Sequence, residues 1–80
     1  MTDERIRKFI VDTFLYGDDK GFSGDTSLTE SGVVDSTGIL ELVSYLEKEF
    51  SITVEDEELI PENLDAVDRI SQYIRRKVAA

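Results

Sequence analysis

The sequence predicts an all-α fold: a small bundle of three to four helices with a long first loop, in a single domain spanning residues 1–80. Three observations carry this prediction. Apolar residues recur at helical spacing in three separate stretches, ending at Phe14, Phe50 and Val78. A residue suited to cap a helix (Thr2, Asp35 or Asp65) stands ahead of each stretch. Neither a strand pattern nor an internal repeat interrupts them.

The first helix is expected to start at Thr2, with Asp3 and Glu4 placed to suit its positive end. Ile6, Phe9, Ile10, Thr13 and Phe14 make its buried stripe, and Gly17 is the expected stop after Tyr16. Val11 and Leu15 fall off that stripe, so they are expected to be partly exposed or to pack under the next loop.

A long connection follows from Gly17 to Val34, GDDKGFSGDTSLTESGVV. Loops beyond about 12–15 residues are uncommon in small domains and are often functional. Phe22, Leu28, Val33 and Val34 are expected to turn back onto the core. The loop also holds a partial calcium-binding pattern. Counting from Asp19, Ser23 falls at position 5, Gly24 at 6 and Glu30 at 12, but Gly21 at position 3 supplies no side-chain oxygen. Thr26 at position 8 also departs from the pattern. A single EF-hand-like calcium module over residues 19–30 is therefore the weaker alternative, from a different functional class.

In the second helix Ile39, Leu42, Val43, Leu46 and Phe50 share one face, with Thr37, Leu40, Glu41, Ser44 and Lys48 opposite. Asp35 occupies the N-cap and Ser36 the first helical position. A hydroxyl there lies at the positive end of the helix, a favourable place for a phosphate. Gly38 in the first turn costs up to about 1 kcal/mol, which suggests that a bare backbone lets a flexible arm or a partner approach closely.

Beyond the second helix, Ser51–Val54 reads as a short extended piece. Glu55–Ile60 reads as one or two helical turns stopped at Pro61. Its consecutive acids point in different directions, which favours a solvated face over a metal site. Asp65 is the expected cap of a last helix, with Asp68 three residues on in a near-capping-box arrangement. Val67, Ile70, Ser71, Ile74 and Val78 form its stripe, and Arg75, Arg76 and Lys77 complement the negative end.

The stretch from Gly32 to Phe50, GVVDSTGILELVSYLEKEF, resembles the acyl carrier protein family, in which the serine of an Asp-Ser motif bears a 4'-phosphopantetheine arm. Glu41-Leu42-Val43 and Leu46-Glu47-Lys48-Glu49-Phe50 are similar to the family's second helix in spacing and kind, and Ile52 with Val54 continues the likeness. The rest of the chain resembles the family only in pattern. The resemblance implies a carrier rather than an enzyme, with Ser36 as the attachment site and Asp35 beside it. It puts Thr37, Leu40, Glu41, Ser44, Glu47, Glu49, Asp56 and Glu57 where family members meet their partners. Ile39, Val43 and Leu46 would border the cargo cavity. The implied partners are a phosphopantetheinyl transferase that uses coenzyme A, an acyl- or aminoacyl-adenylating ligase, and downstream acyl-transfer enzymes.

Departures from the pattern narrow the expectation. Fatty-acid carriers usually have Leu and then an acid after the serine, where this chain has Thr37 and Gly38; Ser44 stands where Met is common. Gly-Val-Val-Asp-Ser-Thr-Gly looks closer to free-standing carriers that work with adenylating ligases, D-alanyl carriers among them. A specialised biosynthetic or cell-envelope pathway is the favoured reading, and housekeeping fatty acid synthesis the near alternative.

Composition agrees with a carrier. The chain has no histidine and no cysteine, which removes the commonest general base and the best nucleophile. The net charge is −9, and from Gly21 to Asp68 thirteen acids face one base, Lys48. Such a field repels nucleic acid and anionic membranes and attracts basic protein surfaces. MTDERIRKFI places acids where a secretory signal needs bases, and no stretch approaches the roughly 20 apolar residues of a membrane span. The expectation is a cytoplasmic monomer.

Overall fold

A computed structural model describes residues 2–79. Helix α1 spans Thr2–Phe14, α2 Ser36–Phe50, α3 Pro61–Leu64 and α4 Val67–Ala79, with one 3-10 turn at Asp56–Glu58. The architecture is the expected all-α bundle. α1 packs mainly on α4, the short α3 lies against α4, and α2 closes the bundle beside α1.

The core is built from the predicted stripes. Ile6, Ile10, Leu42, Leu46 and Ile70 are fully buried, and Ile74 nearly so. Two positions in α4 differ from expectation. Tyr73 is buried, and Val78 is 62% exposed, because periodicity gives the face of a helix but not how far its neighbours extend along it. Val11, placed off the α1 stripe, is also buried, while Leu15 packs half-buried against the core. α1 ends before Tyr16, which takes a left-handed conformation (φ 53°). The amides of Leu15 and Gly17 both return to the Val11 carbonyl, at 3.1 and 3.0 Å.

The long loop folds onto the core through Phe22, Leu28 and Val34, as expected. What holds it is an acid assigned elsewhere by the sequence. Asp65 does not cap α4; it ends α3 and reaches the loop. Its carboxylate accepts hydrogen bonds from the Ser27 hydroxyl at 2.5 Å and from the Thr29 amide and hydroxyl at 3.0 and 2.8 Å. Its carbonyl takes the Leu28 amide at 2.7 Å. Partial burial opposes ionisation of Asp65, but the Ser27 and Thr29 donors prevail and hold it below its ordinary value. Asp68 likewise serves the loop, its amide donating to the Gly24 carbonyl at 2.9 Å. At the other end Arg7 covers the Phe22 ring and donates to its carbonyl at 2.8 Å.

The segment after α2 also departs from expectation. Instead of one helix over Glu55–Ile60, a three-residue 3-10 turn is followed by α3, which begins at Pro61. Proline has no amide to lose at the first helical position, so it opens a helix as readily as it stops one.

Candidate functional site

The start of α2 is defined by Asp35. In extended conformation (φ −96°, ψ −175°), it accepts the Gly38 amide on its side chain at 2.7 Å, while its carbonyl starts the helix with the Ile39 amide at 2.9 Å. Just before it, Val34 is buried and its amide bonds the Leu28 carbonyl at 3.0 Å, which ties the helix entry to the loop. Ser36 is therefore the first residue of a rigid 15-residue helix, and it is exposed. A phosphodiester on its hydroxyl would lie at the positive end of the helix, where negative charge is favoured. The residues present fit a phosphopantetheine group.

Gly38 has a different explanation from the expected one. It is buried, and a Cβ there would stand 2.9 Å from the Phe14 ring and 3.0 Å from Val34. The absent side chain makes room for the core, not for an arm or a partner.

Two depressions flank α2. On the α3 side lies an apolar cleft of about 150 Å³, with Ile39 on one wall and Leu59, Ile60, Pro61 and Leu64 on the other. Of the three expected cavity residues only Ile39 lines it, while Leu46 is wholly buried in the core. On the α1 side a wider groove of about 560 Å³ includes Thr37, Leu40, Glu41 and Ser44. Leu40, on the outward face of α2, is 64% exposed.

The remaining predicted partner residues lie apart from that groove. Glu47 accepts the Val54 amide at 2.9 Å and so braces the segment after α2. Glu49 pairs with Arg5 across the bundle at 3.5 Å. Asp56 and Glu57 are exposed on the 3-10 turn. Sequence reasoning missed Leu59 and Ile60 as site residues; two adjacent large apolar side chains ahead of a proline were the signal.

The calcium pattern is not assembled. Asp19 faces Arg7 at 3.5 Å, and the Ser23 hydroxyl donates to Asp25 at 2.6 Å. Among the described residues no three acidic side chains gather to hold a metal ion. None of the described helices is long and apolar enough to cross a membrane.

Comparison with known proteins agrees with this geometry. The phosphopantetheine attachment site family matches residues 4–74. The probable acyl carrier protein PigG of Serratia sp. (strain ATCC 39006) is 29% identical over 95% of this chain and 87% of its own length. An acyl carrier protein of Petrotoga mobilis is 32% identical over 94% of this chain and 85% of its own length. A D-alanyl carrier protein of Abiotrophia defectiva is 30% identical over 70% of this chain and 71% of its own length. Among solved structures, a chain from a crystal structure of an FAD-dependent dehydrogenase superposes with a TM-score of 0.78 at 23% identity, over 86% of this chain and 97% of that one, a likeness of fold. The chain thus belongs to the acyl carrier protein family, non-catalytic proteins that bear a covalently attached 4'-phosphopantetheine.

Proposed function

We propose that Ser36 carries the phosphopantetheine and that the protein is a discrete carrier for a small acyl or aminoacyl group, loaded by an adenylating ligase in a specialised pathway. The observation that carries this reading is the exposed Ser36 at the capped start of α2, three residues before Ile39 on the wall of an apolar cleft. The arm supplies a thiol that holds the cargo as a thioester and keeps it at high effective concentration for successive enzymes. Asp35 accepts the Gly38 amide on one carboxylate oxygen, which fixes the helix start that presents the Ser36 hydroxyl to the modifying transferase.

The size of the cleft supports a small cargo. It measures about 150 Å³ and opens to solvent, and Leu42 and Leu46 further along α2 are fully buried in the core. The likeness to a D-alanyl carrier protein points the same way. Housekeeping fatty acid synthesis is the alternative, supported by likeness to acyl carrier proteins such as those of Petrotoga mobilis and Buchnera aphidicola. For partner recognition we favour Asp35, Thr37, Leu40, Glu41 and Ser44 around the arm, with Asp56 and Glu57 extending the acidic surface and Glu47 and Glu49 at its margin. The basic enzymes that dock there include a phosphopantetheinyl transferase drawing on coenzyme A. The protein would work as a cytoplasmic monomer, its single carrier domain spanning residues 1–80.

Intact mass after incubation with a broad-specificity transferase and coenzyme A tests the attachment. One phosphopantetheine is expected on the wild type and none on Ser36→Ala. An unchanged wild-type mass with several such transferases would overturn the reading.

A further inference from the structure

The cleft between α2 and α3 has unequal walls. Ile39 belongs to the 15-residue α2, whereas Leu59, Ile60, Pro61 and Leu64 belong to a segment with a three-residue 3-10 turn and a four-residue helix. Elements that short do not hold themselves in place. Leu64 is 2% exposed and anchors the far end of the wall, but Leu59 and Ile60 are 38% and 40% exposed, so burial holds that end only weakly.

Polar side chains behind the wall supply what is missing. The Glu58 carboxylate accepts hydrogen bonds from the Tyr73 hydroxyl at 3.0 Å, the Lys77 ammonium at 2.9 Å and the Glu55 amide at 2.9 Å. The Glu58 carbonyl accepts the Asn63 side-chain amide at 3.0 Å, and Asn63 in turn accepts Arg76 at 2.9 Å. Tyr73 is buried, and the Lys77 and Glu58 side chains are only 25% and 29% exposed. If the wall swung outward, the Tyr73 hydroxyl would lose its acceptor in a buried setting, which is costly. Charge-assisted bonds of this kind are stronger than neutral ones.

We propose that Glu58, Tyr73 and Lys77 form a clasp that fixes the width of the cleft and so limits the size of cargo the carrier shelters. This rests on the reading of Ser36 as the attachment site. With the clasp closed, a short acyl or aminoacyl group finds a seat and a long chain stays in solvent. With the clasp released, the wall carrying Leu59 and Ile60 moves away from Ile39 and admits the longer chain. The three are positioning residues; the cargo itself meets the apolar wall.

The test uses the full chain with Tyr73→Phe, which removes one hydroxyl, and Lys77→Met, which keeps the aliphatic stem. Lys77→Arg serves as the conservative control. In the unmodified protein, the amides of Leu59, Ile60, Asn63 and Leu64 should exchange hydrogen roughly tenfold faster in the Tyr73→Phe, Lys77→Met double variant, while those of Leu42 and Leu46 do not change. Lys77→Arg should restore the wild-type rate. Unchanged exchange at those four amides, or acceleration spread evenly over the chain, overturns the clasp.

The second arm loads acetyl- and decanoyl-phosphopantetheine from the corresponding acyl coenzyme A, checks the mass, and follows thioester cleavage by hydroxylamine. In the wild type the acetyl thioester should cleave more slowly than acetyl coenzyme A, while the decanoyl thioester cleaves as fast as decanoyl coenzyme A; in the double variant the decanoyl ester should be protected about threefold. Equal decanoyl rates in wild type and variant overturn the size limit. A wild-type mass that does not change overturns attachment at Ser36 instead, and the exchange measurement then decides the clasp by itself.

Discussion

The two flanks of α2 are closed in opposite ways. Toward α1, Phe9 and Tyr45 stack with ring centroids 4.0 Å apart and planes within 10°, and Phe14 and Phe50 meet them edge-on at 6.0 and 6.4 Å. Toward α3, apolar contact leaves a cleft, and the wall beyond it is secured by hydrogen bonds and an ion pair from α4. The aromatic flank depends on dispersion and burial, which salt and pH hardly touch. The other flank depends on charge, which both conditions alter. One side of α2 is thus held by aromatic packing, and the wall facing its other side by polar bonds from α4.

The largest expected effect breaks the aromatic side. Phe9→Ala should cost about 2–3 kcal/mol, below the figure for a fully buried Phe because Phe9 is only partly buried. Urea unfolding should give the same loss at low and high salt; a loss that fades in salt would show that the flank is not held as described.

Gly38→Ala tests the same side more gently. Forcing a methyl against Phe14 and Val34 costs about 1–3 kcal/mol, and the better helix propensity of alanine returns up to about 1. The net expectation is a loss of about 1 kcal/mol in a thermal melt. A stabilised variant would restore the idea that the glycine serves an arm or a partner.

On the charged side the effect is a pH dependence. The Glu58 carboxyl is held below its ordinary value of 4.5 by the Glu55 amide, then by Lys77 and Tyr73; Asp65 is likewise below 3.8. The unfolded chain binds protons more readily at both sites. Their stabilising contribution is therefore complete above about pH 4.5 and lost as pH falls through the lowered folded values. Glu58→Gln and Asp65→Asn should each flatten the acid limb of stability against pH, whereas Phe9→Ala should leave its slope as it is. An acid limb equally steep in all three variants would remove these carboxyls from the account.

The smallest change in stability separates two acids that the sequence treats alike. Glu41 is exposed beside the groove, and Glu41→Lys should alter stability by less than about 0.5 kcal/mol. Glu47→Lys loses the bond to the Val54 amide and should destabilise more. In loading by a transferase, the Glu41→Lys protein should be slower at low salt and less sensitive to ionic strength than the wild type. Loading at the wild-type rate would make this acidic face a solvated surface only.

By itself the sequence determined what depends on near neighbours in the chain. The α2 stripe, the Asp35 cap and the position of Ser36 follow from periodicity and one capping hydrogen bond, all within about four residues, and all stand in the structure. The acidic middle of the chain was equally plain from counting charges. The tertiary structure alone decided which polar groups meet over long separations. Asp65 has a good capping residue's chemistry, yet its carboxylate serves Ser27 and Thr29, 38 and 36 residues away. Tyr73 lies off the predicted stripe, yet it is buried, with Glu58 supplying an acceptor for its hydroxyl. Glu47 looked like its exposed neighbour until the chain turned and brought the Val54 amide to it. Local pattern specifies the face a residue presents, and a donor or acceptor at that face takes whichever partner the packed chain delivers.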